Sequence, residues 1–215
     1  MMKRISLFLL TVLTIIFCCA CGSETSGKAK EENLSELVTV TEEYFYVDSI
    51  GQGEYVVIVK NNSSKTVNAT VNAIAKDASG QTIGASSATL STIASGAEAC
   101  IRNLFQGVSE AVDFECTLSV EEDTWYDPVT QDLTFEQSLV GDKVIVTCTN
   151  NGEEAVENLD VVALFFREGE FVYYGINWSQ EIEAGATVST EVRSFESYTQ
   201  EMTYDEAKVY LSGWR

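Results

Sequence analysis

The sequence predicts an all-β protein built from two tandem antiparallel β-sandwich domains, and three observations predict it. One phrase is written twice: the stretch VKNNSSKTVNATVNAIAKDASG from Val59 returns as CTNNGEEAVENLDVVALFFREG from Cys148. Short runs rich in β-branched and aromatic residues recur between turn signals. No segment carries the 3.6-residue period of a convincing amphipathic helix.

The repeat fixes the domain organisation. Asn61 and Asn62 return as Asn150 and Asn151, and 150 − 61 = 89. Applied without a gap, this offset pairs Val57 with Val146, Val67 with Val156, Gly80 with Gly169, Ile93 with Ile182, Gly96 with Gly185 and Ala97 with Ala186. Glycines and turn asparagines that keep register mark backbone conformations that other side chains adopt poorly. Two copies follow, residues 38–122 and 130–215, joined by an acidic linker over 123–129.

Ahead of the copies, MMKR is a positive n-region and Ile5 to Phe17 an almost unbroken apolar run, too short for a stable membrane span. The run ends in FCCACGSETSG, with Ala20 just before Cys21. This resembles the lipobox of bacterial lipoproteins, with Cys18 where Leu is usual. The resemblance implies a signal peptide over 1–20, cleavage between Ala20 and Cys21, and a diacylglyceryl thioether on the Cys21 sulfur. The membrane would then be a partner through that anchor, with the folded part on the extracytoplasmic face. Residues 21–37 are polar and read as a tether; about 18 residues of flexible chain reach on the order of 24 Å.

Within each copy, EYVVIVK and KVIVTCT read as alternating strands, NNSS and NNGE as turns, and DASGQ and REGEF as hairpin turns containing Gly. IASGAEA and IEAGATV turn into another strand, and VDFECTLSV and AKVYLSGW close each unit. Six or seven short strands in about 85 residues match an immunoglobulin-like sandwich, although the antibody-type Cys, Trp, Cys spacing is absent. Each unit also resembles the bacterial FxLYD modules: an Asn-containing turn, a strand ending F-x-L-Y-D, then a Gly hairpin. The aligned positions are Ala73, Ala75, Lys76 and Asp77 in the first copy and Val162, Leu164, Phe165 and Phe166 in the second. Asp77 and Leu164 match outright and Phe165 nearly so. That resemblance implies an extracytoplasmic module with no assigned catalysis.

Charge and composition narrow the chemistry. Removal of residues 1–20 takes Lys3 and Arg4, so 13 − 2 = 11 basic residues face 33 acidic ones, net −22. Such a chain is repelled by nucleic acid and anionic headgroups. The sequence contains no histidine, which excludes Ser-His-Asp and Cys-His nucleophile systems and any zinc site with His ligands. It contains neither a Walker A loop nor G-x-G-x-x-G, so no cofactor and no enzymatic activity are expected. Of the cysteines left after Cys21, Cys116 and Cys148 share strand faces with apolar residues and read as buried hydrophobes, while Cys100, on a different strand, reads as facing outward. Around the join of the copies, EEDTWYDP gathers Glu121, Glu122, Asp123 and Asp127 as a candidate calcium site, although a solvated acidic linker explains the same residues.

The copies differ most in aromatics. Phe165, Phe166, Phe171, Tyr173, Tyr174 and Trp178 map at the 89-residue offset onto Lys76, Asp77, Thr82, Gly84, Ala85 and Thr89. Phe165 and Phe166 are adjacent on a strand and cannot both face one core. The surplus builds either a larger core or a domain interface, or else an exposed patch for a sugar or protein partner. For the patch, Tyr173, Tyr174 and Trp178 are the candidate residues, because their polar tips suit a wet surface. The sequence thus points to a membrane-anchored, non-catalytic binding or assembly module, with an envelope protein or glycan as its partner. The alternative is a carbohydrate-binding or calcium-dependent recognition protein of the cell envelope.

Overall fold

A computed structural model describes residues 33–48, 50–178, 181–195 and 202–215, with the side chain of Trp178 outside that description. Residues 1–32, which hold the expected signal peptide, Cys21 and most of the expected tether, lie outside the described residues. After a single helical turn, α1 (Leu34–Leu37), the first copy forms β1 (Val38–Val47), β2 (Gly53–Asn61), β3 (Val67–Lys76), β4 (Thr82–Ile93), β5 (Glu98–Phe105) and β6 (Asp113–Glu122). The second copy forms β7 (Leu133–Val140), β8 (Lys143–Asn150), β9 (Asn158–Arg167), β10 (Glu170–Trp178), β11 (Thr187–Arg193) and β12 (Glu206–Trp214). Sheet order repeats: β1-β2-β5 faces β4-β3-β6, and β7-β8-β11 faces β10-β9-β12, all antiparallel. This is immunoglobulin-type connectivity, with three strands per sheet among the described residues. Among the described residues no helix is long and apolar enough to cross a membrane.

The repeated asparagines are plugs. Asn61 and Asn150 are fully buried at the ends of β2 and β8. Asn61 Nδ2 donates to the carbonyls of Lys65 (2.8 Å), Ile93 (2.9 Å) and Ala94 (3.0 Å), and its Oδ1 accepts from the Ser63 amide (3.0 Å). Asn150 repeats the set with Glu154 (2.8 Å), Ile182 (3.0 Å) and the Gly152 amide (2.9 Å). Each backbone carbonyl also accepts from the in-register glycine: Gly96 to Asn61 at 2.8 Å, Gly185 to Asn150 at 2.9 Å. Both glycines sit at φ +74, where an L side chain is strained.

The sandwiches stack in four layers, ordered β4-β3-β6, β1-β2-β5, β10-β9-β12 and β7-β8-β11. The first and last pairs enclose one core each. A third apolar cluster joins the two middle sheets, with Val56, Ile58 and Cys100 on one side and Val162, Leu164, Phe166 and Tyr174 on the other. Strands β2 and β9 are therefore covered on both faces. Here the alternation expected of EYVVIVK fails: Glu54 to Val59 are all buried, and the unbroken apolar run marks a strand with two cores.

Register inside β9 departs from the constant offset by one residue. The first core takes Ala69, Val71, Ala73 and Ala75 from β3, whereas the second takes Leu159, Val161, Ala163 and Phe165 from β9. Ala75 thus corresponds to Phe165 and Lys76 to Phe166, correcting the ungapped pairing of Lys76 with Phe165 and Asp77 with Phe166. The second copy has one extra residue before β9 and regains register in its shorter hairpin. That hairpin turns on Glu168 and Gly169, at φ 56 and 80, the two positive φ angles of a tight primed turn. A slip of one residue flips strand faces, so Phe165 enters the second core while Phe166 faces the first copy.

One buried group is mismatched to its place. Asn103 of β5 is fully buried, and neither side-chain amide atom has a hydrogen-bond partner. The 89-residue offset puts Val192 there in the second copy, with β11 pairing to β8 as β5 pairs to β2. Asn103→Val should therefore stabilise the protein by about 1–2 kcal/mol, read as a raised midpoint in urea unfolding, because it removes a desolvated amide. A lowered midpoint would mean that the amide is satisfied in solution.

Candidate functional site

The aromatic surplus of the second copy is positioned by β9 and β10 against the first. Tyr174 is buried, its ring lies under the Arg102 guanidinium at 4.5 Å, and its hydroxyl donates to Glu54 Oε1 at 2.9 Å. Tyr174 is therefore part of the junction core and not of an exposed patch, because the outer face of the β1-β2-β5 sheet covers it. Tyr173 is half-buried, edge-on to Tyr46 of β1 at 4.7 Å between centroids. Phe166 meets Tyr44 of β1 edge-on at 5.3 Å. Trp178 ends β10, where its backbone pairs with Asp160; its side chain lies outside the described residues.

Polar groups rim this junction. Lys208 of β12 donates to both carboxylate oxygens of Glu42 at 2.9 Å and to the Tyr44 hydroxyl at 3.0 Å. Its hydrogen bonds to Tyr44 and then Glu42 hold the ammonium pKa up, to about 12. Glu42 is held below the usual carboxylate range by hydrogen bonds from Tyr44 and Lys208. Burial pushes Glu54 up, opposed by the Tyr174 hydroxyl and by Arg102. Burial also lifts the Cys100 thiol to about 12, so it is inert inside the junction. Cys100, Cys116 and Cys148 are all free thiols.

The linker acids do not converge: among the described residues no group of three His, Cys, Asp or Glu side chains could hold a metal ion. Asp123 is buried and accepts from Thr92 Oγ1 and the Trp125 amide, both at 2.9 Å. Glu122 pairs with Lys65 at 2.9 Å, while Glu121 and Asp127 are exposed. These contacts fasten the linker to the first sandwich, and the calcium reading of Glu121, Glu122, Asp123 and Asp127 finds no geometry there.

Beyond the apolar junction, the seam between the copies opens into a groove. Cross-strand pairing sets Ser212 beside Asp160 on the side of the β10-β9-β12 sheet that faces the first copy. A cavity of about 250 Å³ lies beside that pair, between Leu90 and Ser91 of β4, Tyr126 of the linker, and Asp160, Ser212 and Trp214. An adjoining cavity of about 210 Å³ shares Leu90, Asp160 and Ser212 and reaches Arg102. Tyr126 and Trp214 stand as a tilted ring pair, 5.7 Å between centroids, and Trp125 next to them is 84 % exposed. Burial pushes the Asp160 carboxyl up, and the Arg102 charge partly offsets that. Chemically the groove offers two aromatic faces, hydroxyls and one carboxylate. The sequence reading missed Asp160, Tyr126 and Trp214, although one signal was present: Asp160 is the single charge in the otherwise apolar LDVVALFF.

Fold and site together define a tandem all-β sandwich protein with a groove along its internal seam. No protein-family model matches the chain, and no curated protein matches it.

Proposed function

We propose that this protein is a lipid-anchored, extracytoplasmic, non-catalytic module that binds or assembles envelope components as one rigid body. The observation that carries the reading is the third apolar cluster, which ties the two copies together through Val56, Ile58, Leu164, Phe166 and Tyr174. A body without a free joint presents its surfaces in fixed relation, as a scaffold must. The anchor rests on the lipobox-like FCCACGSETSG and on Cys21. The strand order supports the arrangement: β1 starts, and β6 ends, at the edge of the sandwich held by Asn61, because Val38 pairs with Asn61 and Glu122 with Val67. Tether and linker therefore leave the first copy at the same end, and the β1–β2 and β3–β4 turns lie at the other.

Metabolic labelling with a fatty-acid analogue tests the anchor: wild type should be marked and Cys21→Ala should not. Equal labelling of both removes the lipoprotein assignment. Crosslinking in intact envelopes followed by recovery of the protein tests the binding role. Recovery of the same products from a Cys21→Ala strain would detach that role from membrane anchoring.

A further inference from the structure

We infer that the seam groove is a saccharide-binding site, taking a neutral sugar ring of an oligosaccharide between Tyr126 and Trp214 at one wall and Asp160 at the other. This deepens the binding role proposed above and rests on it. Sugar rings present two chemistries at once, an apolar face of C–H groups and an equatorial rim of hydroxyls. The groove matches both. Tyr126 is 52 % exposed and pairs with Trp214 at 5.7 Å, so an aromatic surface stands open at the mouth. Asp160, Ser91 and Ser212 line the same cavity and supply acceptors and rotatable hydroxyls. Concave sites at domain junctions with a few convergent polar groups are the usual form of small-ligand sites.

Charge decides between a sugar and an organic cation. The chain as a whole is strongly acidic, net −20, and aromatic pairs also attract ammonium groups. Within the groove, however, Arg102 lines the adjoining cavity together with Asp160 and acts on its charge. Arg102 is shared with Glu54 across the junction, so it offsets the Asp160 charge in part, and that offset favours a neutral polyhydroxylated ligand over a cation. The two cavities share Asp160 and Ser212, so the site extends along the seam, as an oligosaccharide requires.

Calorimetric titration of the mature full-length protein with cellotetraose, chitotetraose and maltotetraose tests the inference, with choline and spermine as cationic arms. At least one saccharide should bind. Asp160→Ala and Tyr126→Ala should each weaken that binding about tenfold or more, equivalent to about 1.4 kcal/mol, with the melting temperature within a few degrees of wild type. Ser79→Ala, on the β3–β4 turn, should leave binding unchanged. The inference is overturned if no saccharide binds, if binding survives both groove substitutions, or if only the cations bind in a manner that needs Asp160. Failure here combined with specific crosslinked protein partners from envelopes would leave the binding module standing and remove only the saccharide.

Discussion

Asn61→Ala should cost on the order of 3–5 kcal/mol of stability, and Asn150→Ala a similar amount. The expectation follows from what the amide holds. Asn61 is fully buried and satisfies the carbonyls of Lys65, Ile93 and Ala94 while accepting from the Ser63 amide and from Ser63 Oγ at 2.7 Å. Alanine removes all of these and leaves several backbone groups dry and unpaired, each costing about 1–3 kcal/mol before relaxation. Asn61→Asp is the sharper control. It keeps the acceptor but sets a second oxygen against three carbonyls, so it should be at least as damaging as alanine. Asn62→Ala provides the comparison, because Asn62 is exposed and, among the described residues, its side chain reaches Thr39 Oγ1 at 3.5 Å; its effect should stay within about 0.5 kcal/mol. Urea unfolding of the full chain measures all four. A cost below about 1 kcal/mol for Asn61→Ala would mean that the loop reorganises and the asparagine is not the plug.

That asparagine shows how much of the fold was legible. Its recurrence at an offset of 89, in step with Gly96 and Gly185, was visible because a buried amide and two positive-φ glycines admit few substitutes. Turns of this kind punctuate the chain whatever the strands pack against, so strand count and copy boundaries could be read directly. What could not be read was the third cluster. A strand half-buried in one sandwich and a strand buried between two sandwiches differ only in whether the second face is apolar. GEYVVIV and VVALFF carry that signature, yet β-branched richness alone had suggested alternation.

The site was less legible than the fold, for a reason of register. Counting at constant offset placed Phe165 opposite Lys76, whereas the insertion before β9 shifts the strand by one and moves each side chain to the other face. Tyr174 and Phe166 then share the junction, and the aromatic surplus is explained by burial against Tyr44 and Arg102. Asp160, Tyr126 and Trp214 come from β9, the linker and β12, and no spacing in the sequence connects them. Only the four-layer stack brings them to one groove.

Phe166→Ala should destabilise the protein by about 3–5 kcal/mol, the usual cost of truncating a large buried aromatic. Phe166 is 4 % exposed, contacts Tyr44 at 5.3 Å, and lies under the Lys208 ammonium at 5.3 Å. Loss of stability alone would not distinguish damage to the junction from damage to the second sandwich, so a local readout is needed. Cys100 supplies it: the thiol is free, sits in the same cluster on the opposite sheet, and is 8 % exposed. Opening the junction bares Cys100, and release from burial brings its pKa down from about 12 toward that of an ordinary thiol. Native-state labelling with a thiol reagent, followed by peptide mapping, should therefore show Cys100 reacting faster in Phe166→Ala than in wild type. Phe165→Ala is the matched control, since Phe165 fills the second core against Tyr204 at 4.7 Å and should cost a similar amount of stability. In that variant Cys148, which shares the second core, should gain more reactivity than Cys100. Equal acceleration of Cys100 in the two variants would mean that the copies open together and that the junction has no separate opening step. No acceleration of Cys100 in Phe166→Ala would mean that Phe166 supports its own sheet without holding the copies together, and the rigid-body scaffold would lose its physical basis.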